Sequence, residues 1–240
     1  MQTESRNVDP GELAKFEAMA GRWWDPEGEF RPLHDLNPLR LDFIEGCAQG
    51  LAGRRALDVG CGGGLVSEGM AHRGARVTGI DLAAGPLDVA RLHALDSGIH
   101  VDYRLVSAED LAAQQAGEYD LVTCLEMLEH VPDPWHLVDA LARLVRPGGD
   151  VVCSTINRTA KAFALAIVGA EYVLRLLPAG THDYARFIRP SELARSAREA
   201  GLQLMDLRGI AYDPFSRRAR LSSDTSVNYL AHFRRPAKAA

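Results

Sequence analysis

The stretch ALDVGCGGGLVSEGMA, residues 56–71, runs from a short apolar segment through Gly60, Gly62, Gly63 and Gly64 into a helical pattern. A glycine-rich strand-to-helix turn presents backbone N–H groups at a helix N-terminus and so attracts anions. Asp58 at its entrance argues against a phosphate. The dinucleotide fingerprint G-x-G-x-x-G also fails, because Leu65 stands where the third glycine should permit close packing of helix on strand.

Outward from this turn the pattern alternates. The segments RALDVG, ARVTGID, VDYRLVS, YDLVTCLE and DVVCSTI read as strands, and residues 65–73, 85–97 and 134–145 read as helices between them. Such alternation predicts an α/β fold with a mainly parallel sheet covered on both faces, and ligands beyond the carboxyl ends of its strands. GLQLMDLRGIAY and SVNYLAHFRR supply two final strands, for an expected total of seven. Residues 1–50 are read as a helical lid segment, and 51–240 as the main domain with an insertion at 157–200.

The strand ends suggest one ligand. S-adenosylmethionine carries a cationic amine and a sulfonium and no phosphate, which suits an acidic, glycine-lined turn. Asp81 ends the next strand about twenty residues on, the place of a ribose-binding carboxylate. Glu109 follows the third strand, where the adenine end should lie. Each has a plainer reading, Asp81 as a helix N-cap and Glu109 as a solvated loop carboxylate. The expected cofactor site is Asp58, Gly60, Gly62, Asp81, Leu82, Glu109 and Leu125, with Arg40 as partner to the methionine carboxylate.

Composition limits the alternatives. The 240 residues are 47% hydrophobic and 25% charged, with a formal net charge of -5, which argues against a nucleic-acid-binding surface. Cys47, Cys61, Cys124 and Cys153 lack C-x-x-C spacing and suggest reduced packing residues. The polar first residues do not resemble a signal peptide, so a cytoplasmic location is expected.

LDVGCGGG, VTGID and RPGG resemble the class I S-adenosylmethionine-dependent methyltransferases, which have a Rossmann-like fold. KFEAMAGRWWDPEGEFRPLHDLNPLRLDFI, TCLEMLEHVPDP, VGAEYVLRLLPAGTHDY and FIRPSEL look like the ubiquinone-biosynthesis O-methyltransferases that act on polyprenyl catechols and on demethylubiquinol. The likeness spans roughly residues 8–233. It implies two O-methylation steps and dependence on Mg²⁺ or another divalent cation, with Glu126, Glu129 and His130 as the positions to which metal ligation carries over.

From the residues alone, Glu126 and His130 are four apart and would share a face if the segment after the fourth strand turns helical. They can hold a metal against a catecholate, or His130 can serve as general base with Glu126 beside it. His182 and Asp183 are further polar candidates. Trp23, Trp24 and Phe30 are either a lid over the ligand or a packed helix face.

KAFALAIVGAEYVLRLL, residues 161–177, is apolar around most of a helix but too short and interrupted to span a bilayer. It is either a buried helix or an interfacial one, bringing Phe163, Ile167 and Leu174 to a membrane or a prenyl substrate. Arg217, Arg218, Arg220, Arg234, Arg235 and Lys238 would favour anionic lipids. The expectation is therefore peripheral attachment to the inner membrane, with a place in a biosynthetic complex left open. The competing functions are methylation of another small hydroxylated aromatic and non-catalytic cofactor binding.

Overall fold

The computed structural model describes residues 7–165 and 183–237. In chain order the elements are α1 (Pro10–Met19), α2 (Arg31–Ala48), β1 (Arg55–Val59), α3 (Leu65–His72), β2 (Arg76–Asp81), α4 (Ala84–Ser97), β3 (Val101–Leu105), α5 (Ala108–Gln114) and β4 (Tyr119–Leu125). They continue with α6 (Pro134–Leu144), β5 (Val145–Ile156), the short α7 (Ala160–Ala162), α8 (Pro190–Glu199), β6 (Gln203–Asp213), β7 (Arg218–Ser222) and β8 (Asn228–Arg234).

The strands form one sheet in the order β3-β2-β1-β4-β5-β8-β6-β7, parallel from β3 to β5 and antiparallel beyond. The sheet has eight strands rather than seven. The extra one is β7, where Ala219 and Leu221 alternate with Arg218 and Arg220 in an edge hairpin with β6. A second departure concerns RPGG, which lies within β5 across a shift in its register with β4 instead of closing the preceding helix.

Side chains alternate between the two faces with the strand period of two. Leu57 and Val59 of β1, with Val122 and Cys124 of β4, join the core beneath α5, α6 and α8. Ala56, Leu121 and Leu125 pack on the opposite side with Ile44 of α2 and Met70 of α3. The order of connection reverses between β1 and β4, so their carboxyl ends diverge into a crevice. Every expected cofactor residue but Arg40 lies at or just beyond a strand's carboxyl end.

The N-terminal segment covers that crevice. Asp9 caps α1 through the backbone N–H groups of Gly11 and Glu12, and its other oxygen pairs with Arg186 at 2.6 Å. Glu17, on the last turn of α1, accepts from the N–H groups of Ala84 and Gly85 at 2.6 and 2.9 Å. A carboxylate there opposes the positive end of α4 and satisfies donors a helix leaves open.

Candidate active site

The cofactor end is built mainly from backbone. The N–H groups of Gly60 and Cys61 both donate to the carbonyl of Ile80, at 2.9 and 3.0 Å, stitching the turn to β2. Gly62 has φ 52°, a left-handed conformation natural to glycine, and a Cβ there would lie 2.1 Å from the Trp23 ring. Trp23 in turn stacks on Phe30 at 4.2 Å, and Trp24 donates to the carbonyl of Gly63 at 2.8 Å. Trp23 and Phe30 pack on each other and Trp23 lies against the glycines, from turns between the helices and not from a helix face.

Asp81 accepts from the N–H of Gly62 at 2.9 Å and from that of Ala83 at 2.8 Å. Burial raises its pKa against the pull of these donors. Asp58 is buried and accepts from the hydroxyls of Ser67 and Thr123 at 2.6 and 2.7 Å. Burial pushes its pKa up to about 6, against the pull of the Ser67 and Thr123 hydroxyls. Glu109 lies in the first turn of α5, accepts from Asn7 at 3.1 Å, and lines a small side cavity with Gly60, Asp81 and Leu82.

Arg40 reaches the crevice from α2. It is buried, its Nη2 donates to Glu126 at 2.6 Å, and its Nε has no partner among the described residues. A ligand carboxylate would satisfy that buried donor.

At the acceptor end the sequence expectation of a shared helical face fails. Glu126 has φ 53°, outside any helix, while its N–H donates to the carbonyl and the hydroxyl of Ser154. Only Leu128–His130 forms a turn, of the tighter 3₁₀ kind. Glu126 accepts from Ser154 as well as Arg40, and Glu129 turns inward to accept from Thr155 at 2.8 Å. Burial raises the pKa of Glu129, and the negative charge of Glu126 adds to the effect.

His130 Nδ1 lies 2.7 Å from Glu12, a residue of α1. Burial is the largest influence on its pKa and lowers it, but the Glu12 hydrogen bond and the charges of Glu129, Glu12 and Glu126 together raise it above the usual value. The same hydrogen bond brings Glu12 down to about 2.

Of the three metal positions carried over by the resemblance, Glu126 accepts from Arg40 and Ser154 on Oε1, Glu129 accepts from Thr155 on Oε2 while its buried Oε1 has no partner among the described residues, and His130 faces Glu12 through Nδ1. Among the described residues no group of three or more His, Cys, Asp or Glu is arranged to hold a metal ion. Of the substrate or membrane candidates, Phe163 is exposed and meets Tyr184 edge-on, while Ile167, Leu174 and His182 lie outside the described residues.

Both ends open into one cavity of about 650 Å³. Asp58, Gly60, Gly62, Asp81, Leu82 and Leu125 line it from the sheet, Arg40 from α2, and Glu126, Glu129 and His130 from the other side. Phe16, Trp23 and Phe30 close it from the N-terminal segment, and Ile210 and Tyr212 from β6. Sequence reading missed Glu12, Asn7, Glu17, Ser154 and Thr155, whose partners are far away in the chain and leave no local pattern.

Comparison with known proteins gives the family. The methyltransferase domain family matches residues 28–207. A ubiquinone biosynthesis O-methyltransferase of Alkalilimnicola ehrlichii is 60% identical over 99% of this chain and 96% of its own length, and one of Bordetella avium is 62% identical over 93% of each. This chain belongs to the ubiquinone biosynthesis O-methyltransferase family. It belongs with that family to the S-adenosylmethionine-dependent methyltransferases. Among solved structures it resembles in fold the magnesium protoporphyrin IX methyltransferase of Synechocystis with bound SAH, at 19% identity and TM-score 0.58 over 83% of this chain and 85% of that one. A SAM-dependent methyltransferase of Methanosarcina mazei matches at 16% identity and TM-score 0.59, over 78% and 94%.

Proposed function

We propose that this family member transfers the methyl of S-adenosylmethionine to a phenolic oxygen of catechol-type polyprenyl intermediates, at both O-methylation steps of ubiquinone biosynthesis. The observation that carries the reading is the single cavity joining the glycine turn and Asp81 to His130. Its walls are mostly apolar, as a prenylated aromatic requires, with a few convergent polar groups.

Bound S-adenosylmethionine supplies an electrophilic methyl on a good leaving group. Arg40 holds the methionine carboxylate, Asp58 faces the amine and Asp81 accepts from the ribose diol. Leu82 and Leu125 line the cofactor's path, and Glu109 stands toward the adenine end. Glu126 orients Arg40 instead of taking a proton. His130 receives the phenol's proton, which leaves spontaneously only near pH ~10. Trp23 and Phe30 exclude water above the turn, so the segment 1–50 acts as a lid on the domain formed by 51–240.

A bilayer-resident substrate calls for contact with a membrane surface, and several groups support it. Phe163, Leu165 and Phe215 are exposed, as are Arg218 and Arg220. Arg217, by contrast, pairs with Glu27 and Asp35, Arg234 with Asp150, and Arg235 with backbone carbonyls, so these serve the fold. Among the described residues no helix is long and apolar enough to cross a membrane.

The test is transfer of labelled methyl to a short-chain prenyl catechol, with and without chelator, by the wild type and by His130→Ala. Chelator-insensitive turnover that falls about 100-fold or more in the variant is expected. Turnover abolished by chelator would place a divalent ion in the site and overturn the proton-transfer reading. Cofactor binding without transfer would point to another hydroxylated acceptor.

A further inference from the structure

We infer that Trp24 is a positioning residue for the cofactor turn, itself seated by the buried Glu68 through His93. Affinity for S-adenosylmethionine then depends on a side chain of the N-terminal segment that lies outside the cavity. The inference rests on the cofactor reading above. Trp24 is 39 residues from Gly63, yet its indole Nε1 donates to the Gly63 carbonyl at 2.8 Å. The N–H of the same peptide unit, on Gly64, donates to the carbonyl of Cys61 at 2.9 Å. A trans peptide points these two groups in opposite directions, so one hydrogen bond on each side fixes its plane. That plane closes the turn that holds Gly60 and Gly62.

The indole has a seat of its own. Its ring lies face to face on the His93 imidazole, with centroids 3.4 Å apart and planes within 1° of parallel, and His34 of α2 meets it in a T-shaped contact at 5.8 Å. His93, on α4, is held by Glu68 of α3, whose two carboxylate oxygens lie 3.0 and 2.9 Å from Nδ1. A carboxylate only accepts, so Nδ1 is the donor. The Ser97 hydroxyl, one turn along α4, donates to the same group at 3.2 Å. The Glu68 side chain is only 4% exposed, and a carboxylate so buried needs these partners.

Glu68 and His93 stand on the helices that follow β1 and β2, the strands that carry Asp58 and Asp81. Trp23 lines the cavity, whereas Trp24, Glu68 and His93 do not. Their influence on the cofactor therefore passes through the shape of the turn.

The experiment titrates S-adenosylmethionine into the full chain by calorimetry and measures steady-state methyl transfer to a short-chain prenyl catechol. The proteins are wild type, Trp24→Phe, Trp24→Leu, His93→Gln and the double variant of the last two. Trp24→Phe keeps a ring for His93 and loses the indole N–H, while His93→Gln keeps a donor for Glu68 and loses the flat ring. Expected are dissociation constants about 3–10-fold higher in Trp24→Phe and His93→Gln, and about 10–50-fold higher in Trp24→Leu. The double variant should match Trp24→Leu, because His93 acts only through the indole. At saturating cofactor, kcat and the KM for the catechol should stay within about twofold, which a general loosening of the N-terminal segment would not allow. Without cofactor, the Trp24 indole N–H, assigned by NMR from its loss in Trp24→Phe, should exchange about tenfold faster in His93→Gln than in wild type. Unchanged affinity in both Trp24 variants, losses that multiply in the double variant, equal indole exchange, or a kcat that falls as far as the affinity would each overturn the assignment. A wild type that does not bind S-adenosylmethionine would instead overturn the cofactor reading, and the indole exchange would still report whether His93 seats Trp24.

Discussion

The two ends of the cavity are made in different ways. At the cofactor end, two consecutive strand-to-helix connections, residues 56–65 and 76–84, bring Asp58, the glycines and Asp81 together, and Asp81 bonds directly to Gly62. At the acceptor end, Glu126 is held by Arg40 and Ser154, Glu129 by Thr155 and His130 by Glu12, from α2, β5 and α1. The first end is a backbone shape with little freedom. The second is a set of side chains whose arrangement depends on the lid and on neighbouring elements. Binding the cofactor and activating the acceptor should therefore respond to different substitutions.

The largest effect should come from disturbing the backbone shape. Gly62→Val places a β-branched residue at φ 52° with its Cβ 2.1 Å from the Trp23 ring, a strain of roughly 1–3 kcal/mol before any clash with Trp23 is counted. Affinity for S-adenosylmethionine, measured by titration calorimetry, should fall about 100-fold, or ~2.7 kcal/mol, while far-UV circular dichroism stays that of the wild type. Near-wild-type affinity would show that the turn is not the shape the cofactor reads.

A smaller effect should come from Arg40, which belongs to both ends. Arg40→Met keeps much of the buried volume and removes the orphan Nε together with the partner of Glu126. A lost charge-assisted hydrogen bond of ~1.5–3 kcal/mol predicts a cofactor dissociation constant roughly 10–100-fold higher. If only the KM for the catechol rose, Arg40 would belong to the acceptor end alone.

The same division governs what could be read from the sequence. The glycine turn, Asp81 and the alternating strands were legible because each is a short stretch whose residue types dictate a backbone conformation. LEMLEH was legible as chemistry but not as geometry. Its spacing suggested a helical face, and the structure instead turns Glu126 to positive φ because Ser154 on β5 captures its N–H and its carboxylate. Glu12 carried no signal, since its partner lies 118 residues away. Residues 218–221 were read only as a source of membrane-binding charge, although the alternation of Arg218, Ala219, Arg220 and Leu221 has the strand period that makes β7.

The smallest expected effect tests whether the acceptor end depends on the lid. Glu12 has its pKa lowered to about 2, so its contribution is present above its ordinary value of 4.5 and fades as the pH falls from there through about 2. His130 has its pKa raised above 6.5, so its contribution is complete below 6.5 and is lost as the pH rises through the higher folded value. The two conditions overlap between about pH 4.5 and 6.5, and the contact weakens on the alkaline side. Asp9 and Arg186 are shifted in directions that keep both ionised over that range, so their anchor does not share the trend. Amide protection in α1, corrected for intrinsic exchange, should drop about two- to fivefold between pH 6 and 9, as suits a single ion pair. Glu12→Gln should flatten that dependence. A slope that survives the substitution would mean that other groups govern lid docking, and that the acceptor end, like the glycine turn, keeps its shape without the pairing of Glu12 with His130.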